Sequence, residues 1–213
     1  MLTLYGRITS SNVQAVLWLL EELELEYERL DYGFNFGGLD TPEYLSMNPH
    51  GKVPVLKVGE TAIFESSAIV RYLASIYGDE TLWPRDPLKR AQIDMWTDWA
   101  KNSVAGGFTG PIFWLVARTR PERQDPEQID KNIAKLQVEL TKADAQLQKH
   151  DFLCGPDFTI ADIQLGHVLY RYYDVDIQRA DLPALRAYYE RLTTREAYQK
   201  SVMVSYEILR NSF

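Results

Sequence analysis

Pro54 constrains this chain more than any other residue. It stands at the head of Val55-Leu56-Lys57-Val58, a β run that a Gly59-Glu60 turn joins to a second, Ala62-Ile63-Phe64. Proline cannot donate a ladder hydrogen bond and sits at strand ends, so the approach Asn48-Pro49-His50-Gly51-Lys52-Val53 must bend sharply before the strand begins. An extended backbone is left unpaired there. Its N–H and C=O can take up a peptide ligand as an added strand. Beyond the hairpin, Glu65-Ser66 opens a helical pattern, and the start of a helix offers free N–H groups to a carboxylate, which Ser66 can cap and hold.

The flanking pattern places this loop in a small α/β unit. Residues 2–5 read as a strand, and Val13, Val16, Leu17, Leu20 and Leu23 then recur at helical spacing, with Ser10, Ser11 or Asn12 as the cap. Residues 26–31 read as a second strand, 41–46 as a short helix, 54–58 and 62–64 as the hairpin, and 66–77 as a helix. The order is βαβ followed by ββα. Residues 79–87 carry two prolines and break the periodicity like a linker. The rest of the chain is helical: long amphipathic patterns over 88–118 and 128–150, a helix after Thr159, and helices over 182–192 and 195–209. Phe158-Thr159-Ile160-Ala161-Asp162 reads as a capping box, in which Thr159 caps the helix and Asp162 reaches back. The expected domains are therefore residues 1–78 and 88–213, an α/β domain followed by an all-α one.

Charge narrows the partners. The net charge of -7 falls entirely within residues 1–80, where 12 acidic side chains face 5 basic ones, while residues 81–213 balance at 18 each. No basic stripe exists to neutralise phosphates, which argues against nucleic acid. No apolar run reaches the roughly 18 residues of a membrane helix, and the start lacks a secretion pattern, so a cytoplasmic protein is expected. The single cysteine, Cys154, excludes an internal disulfide framework and reads as a buried filler. No metal-ligand cluster suggests itself.

Four motifs in this order resemble the cytosolic glutathione transferases: Leu4-Tyr5-Gly6-Arg7 with Ser10-Ser11-Asn12-Val13; Asn48-Pro49-His50-Gly51-Lys52-Val53-Pro54; Glu65-Ser66-Ser67-Ala68-Ile69-Val70-Arg71-Tyr72-Leu73; and the capping box. Within that family the chain looks most like bacterial members with a Ser-x-Asn start, near the theta, zeta and nu groups. The resemblance covers nearly the whole chain. It implies a thioredoxin-like first domain, a helical second domain that forms the acceptor pocket, and a homodimer. It further implies that Pro54 is the cis-proline, that the Val53 backbone pairs with the cysteinyl part of glutathione, and that Glu65 and Ser66 bind the γ-glutamyl ammonium and carboxylate. Lys52 would lie beside the ligand's glycine end.

Ser10 is the expected contact for the glutathione thiol, with Asn12 and Ser11 as alternatives. A hydroxyl at a helix start stabilises a thiolate by a charge-assisted hydrogen bond and by the helix field. Lowering a thiol pKa by about two units takes roughly 2.7 kcal/mol, within reach of the two together. Tyr5 lies inside the strand and is not expected to play this part. Arg7, Trp114 and Arg118 are the candidate acceptor-side residues, and their arginines suit small acidic or halogenated acceptors. The activity expected is transfer of glutathione to a small electrophile, in the service of detoxification. Glutathione-dependent disulfide reduction, an isomerase of the same fold, and a non-enzymatic docking module are the alternatives. The zeta-type isomerase is disfavoured because its Ser-Ser-Cys is Ser10-Ser11-Asn12 here.

Overall fold

A computed structural model describes residues 1–213. Strands β1 (Leu2–Tyr5), β2 (Tyr27–Leu30), β3 (Val55–Val58) and β4 (Thr61–Phe64) form one mixed sheet in the order β2-β1-β3-β4. β1 runs parallel to β2, reached through helix α1 (Ser11–Glu22), and antiparallel to β3. Alternation along β1 sends Leu2 and Leu4 into the core with α1 and α3 (Ser66–Tyr77). Tyr5 points the other way and joins Tyr32 and Tyr44 of the short helix α2 (Pro42–Met47), its ring 5.3 and 6.5 Å from theirs. That placement removes Tyr5 from the helix start where chemistry is expected.

The second half begins at α4 (Pro87–Trp99), whose Asp86 side chain caps Lys89 N–H. The last residue assigned to the linker is thus already helical. α4 continues without interruption through a wide π-helical stretch (Ala100–Ala105), one α turn, α5 (Gly106–Phe108), and a second wide stretch (Thr109–Arg118). Glycines at 106, 107 and 110 and a proline at 111 explain the loosened winding, because the proline supplies no N–H to the ladder. After the long α6 (Pro126–Leu147) come α7 (Ile160–Gly166), α8 (Leu169–Asp174), α9 (Pro183–Thr193) and α10 (Glu196–Ser201). The single helix expected over 195–209 stops at Ser201; residues 207–209 form only a 3-10 turn. The periodicity does not resolve α8 as a separate helix.

One continuous core joins the two halves. α1 packs against α7 and α10, with Trp18 held between Phe158 at 5.4 Å and Tyr198 at 4.7 Å. Arg195 of the helical half grips Glu22 with two bonds of 2.7 Å. The capping box is present as expected: Asp162, fully buried, accepts from Thr159 N–H at 2.8 Å while Thr159 caps the first turn of α7.

Gly6 ends β1 at φ +152°, and a Cβ there would lie 2.5 Å from a Val13 methyl and 3.2 Å from Val53 Cβ. The strand end, the first turn of α1 and the Pro54 loop therefore meet with no room for a side chain. Gly6→Ala is expected to cost about 2–3 kcal/mol in chemical denaturation, through overpacking and an unfavourable backbone angle. A loss below about 0.5 kcal/mol would show that the three segments can part freely.

Candidate active site

Three chain segments leave polar backbone exposed on one another's borders. The Val53-Pro54 peptide is cis. Val53 N–H and C=O make no hydrogen bond in the molecule, since the sheet pairing starts only at Val55. The loop ahead of it is fixed from behind, with Lys52 C=O accepting from Tyr44 Oη at 2.8 Å and from Asn48 Nδ2 at 2.7 Å. The Lys52 side chain itself is exposed.

α3 begins beside this edge. Glu65, not Ser66, occupies the cap position, at φ +67°, a conformation uncommon for a residue with a side chain. Ser66 is the first helical residue and is buried. The N–H groups of Ser66, Ser67 and Ala68 have no partner within the molecule, so the helix start presents donors in a row. Ser67 Oγ is buried and also unpartnered.

At the third segment, Ser10 sits at the cap position of α1 but makes no side-chain capping bond, which differs from the expected capping role. Its hydroxyl is uncommitted. Ser11 is buried, and Asn12 is half-buried with Oδ1 taken by Lys101 Nζ at 2.6 Å. Lys101 lies in the first wide-wound stretch beyond α4, and its ammonium also donates to Ser66 Oγ at 2.7 Å. No carboxylate lies within ion-pair distance of it. Burial pushes its pKa down to about 8, and the charge of Glu65 pulls the other way.

Beside the start of α1 stand three guanidiniums without a carboxylate partner. Arg7 lies over the Phe34 ring at 5.6 Å, with its Nε and Nη1 buried and unpartnered. Arg118 lies 5.4 Å from the same ring and 5.3 Å from that of Trp114, and stacks on Phe213 at 3.9 Å. Arg171 of α8 donates to Thr9 C=O at 2.9 Å, while its Nε is buried and unpartnered. Burial, then mutual repulsion, pushes the pKa of both Arg7 and Arg171 down to about 10, with Arg118 contributing to each. They remain cationic at neutral pH. Buried and half-buried cations that face one another rather than an anion leave the place of an anion to a ligand.

Comparison with known proteins places the chain in a family. The family models for the glutathione S-transferase N-terminal and C-terminal domains match residues 1–75 and 108–196. Glutathione S-transferase GstB of Escherichia coli is 39% identical over 206 residues, covering 96% of this chain and 99% of that protein. The theta class glutathione S-transferase of Xanthomonas axonopodis pv. citri, solved with glutathione bound, superposes with a TM-score of 0.91 at 41% identity, over 96% of this chain and 98% of that one. Glutathione S-transferase F13 of Arabidopsis thaliana is 31% identical, covering 92% and 93% of the two chains.

The chain belongs to the glutathione S-transferase family. Its first domain is thioredoxin-like with a small mixed sheet, and its second is helical, as the four motifs implied. The sequence reading of this transferase missed Lys101 and Arg171. Both are cations carried by the helical half to the borders of the first domain, and no local periodicity announces which helix position will cross that distance. Phe34 was also missed, since its loop carries only glycines as a signal. Cys154, beside Asp162 and Thr159, has its thiol pushed up to about 12 by burial and by the carboxylate. A thiol so shifted is a poor nucleophile near neutral pH. No helix is long and apolar enough to cross a membrane.

Proposed function

We propose that this transferase joins the thiolate of glutathione to small electrophiles that carry a carboxylate, such as 2-haloacids. The observation that carries the acidic acceptor is the set Arg7, Arg118 and Arg171, cations that repel one another with no acidic side chain among them, the first two over the Phe34 ring. Trp114, stacked on Arg118, forms the apolar wall. In the displacement, the sulfur lone pair forms the C–S bond, the C–halogen bond breaks, and halide departs with its electron pair.

For glutathione, Val53 N–H and C=O take the cysteinyl backbone as an added strand beyond the cis Pro54, and Lys52 stands at the glycine end. The free N–H row of α3 with Ser66 receives the γ-glutamyl carboxylate, and Glu65 its ammonium. Ser10, with a hydroxyl uncommitted to capping, is the principal donor to sulfur, alongside Asn12; Ser11, buried under the first turn, contributes backbone. The protein works in the cytoplasm, where glutathione is abundant, and removes reactive compounds there. We place a homodimer contact on α3 and α4, whose Ile76, Leu88 and Met95 are exposed. Residues 1–78 and 88–213 are the two functional domains.

The test is an ultraviolet titration of enzyme-bound glutathione. The thiolate should appear at least one pH unit below that of free glutathione, and Ser10→Ala should cut conjugation at least tenfold and move the titration back towards the free value. Full activity in Ser10→Ala sinks the role of Ser10. Failure of the native chain to bind glutathione points to a docking protein on a shared fold.

A further inference from the structure

Lys101 is a half-buried cation that reaches out of the helical half to touch both helix starts of the glutathione site, yet has no carboxylate to pair with. Leaving such a charge uncompensated is costly, and apolar side chains of similar size are normally preferred in its place. Its two bonds have a directional consequence. An ammonium carries only hydrogens, so the atom that Asn12 turns towards it must be the oxygen, and the amide nitrogen is turned away with both its N–H groups unpartnered in the molecule. The same reasoning applies to Ser66. Its Oγ accepts from Lys101 at 2.7 Å, so its own hydroxyl proton is free to point elsewhere.

We propose that Lys101 is a positioning residue that fixes Asn12 and Ser66 as donors, the Asn12 amide towards the sulfur of glutathione and the Ser66 hydroxyl towards its γ-glutamyl carboxylate. The inference rests on the reading of this site as the glutathione site. Without the lysine, Asn12 can rotate its amide to present either atom, and a carbonyl oxygen facing a thiolate repels it. With the lysine, both neighbours of the ligand's anionic groups are donors, and the cation itself gains the γ-glutamyl carboxylate as an anion that the protein alone does not supply. The groups that face Lys101 are few: Glu65 from the start of α3, and His167 just past the end of α7, which burial holds neutral with its pKa pushed down to about 3.

Lys101→Met, Lys101→Gln, Asn12→Ala and the Lys101→Met/Asn12→Ala double variant test this. Methionine removes an uncompensated charge and is expected to fold; glutamine keeps a donor while removing the charge. Lys101→Met should raise the pKa of bound glutathione by about one unit and weaken S-methylglutathione about tenfold. In the Asn12→Ala background it should leave the thiol pKa unmoved, while Lys101→Gln should restore much of that pKa. Additive shifts in the double variant, or an unchanged thiol pKa in Lys101→Met with normal S-methylglutathione binding, overturn the role of Lys101 alone. A native enzyme that binds no S-methylglutathione overturns the site reading and this inference together.

Discussion

Asp162→Ala is expected to destabilise the protein by about 3–5 kcal/mol and to leave little folded enzyme at 37 °C, as read by chemical denaturation and by soluble yield. The carboxylate is fully buried and takes four donors: Leu153 N–H at 2.9 Å and Tyr188 Oη at 3.0 Å on one oxygen, Thr159 N–H at 2.8 Å and Thr159 Oγ1 at 3.1 Å on the other. Alanine strands all of these donors in the interior at once. Burial still outweighs them in setting the acidity, and the carboxyl titrates above the ordinary carboxylate range. An amide in place of the acid is no rescue, because both oxygens already face donors and the amide nitrogen would meet one of them head on. Asp162→Asn should therefore also be clearly destabilising, by about half as much. A near-native midpoint for Asp162→Asn would mean that hydroxyls of Thr159 and Tyr188 can turn to accept instead.

The second large effect concerns selectivity. With 2-chloroacetate and its uncharged analogue 2-chloroacetamide as acceptors, Arg118→Met should lower kcat/KM for the acid about 10- to 100-fold and for the amide by less than about threefold. The range corresponds to a charge-assisted hydrogen bond of roughly 1.5–3 kcal/mol. Arg171→Met should act in the same direction and also lower turnover of the amide, because it releases Thr9 C=O and with it the approach to Ser10. The effects should fall short of additive, since each arginine removed relieves the repulsion that holds its neighbours' proton affinity down. The pH dependence has a definite sign: the lowered guanidinium values still lie near 10, so preference for the acid should be flat through neutrality and decline only as pH approaches that value. An equal fall for acid and amide would refute the carboxylate pocket while leaving glutathione conjugation intact.

Much of the first domain, and the capping box of the second, is legible because the signals are local. Residues 66–77 are delimited as a helix by period and flanks alone, and the strand of residues 2–5, the hairpin and the Thr159–Asp162 box each depend on neighbours a few positions apart. The helix projected over 195–209 fails for a related reason: its apolar spacing continues past Ser201, but Val202 and Tyr206 are buried without a continuing helix. The site is only half visible. Pro54 and Glu65-Ser66 are read from backbone demands, whereas Lys101 and Arg171 join the site across 89 and 162 positions of sequence to Asn12 and Thr9. Contacts at such separations leave no periodic trace. Ser10 at the start of α1 looks like a cap by residue type, and only the structure reveals that its hydroxyl is idle.

The unpaired edge at Val53 bears on turnover. Main-chain pairing recognises that a peptide lies there and is indifferent to what hangs from its cysteine, so on this reading the conjugate is held by the same grip as the co-substrate. What changes on reaction is the charge on sulfur alone. With Ser10 and Asn12 as the proposed donors to sulfur, product would depart chiefly because those donors lose the anion they were arranged for, and relief of product inhibition would be the work of the same residues proposed to activate the thiol.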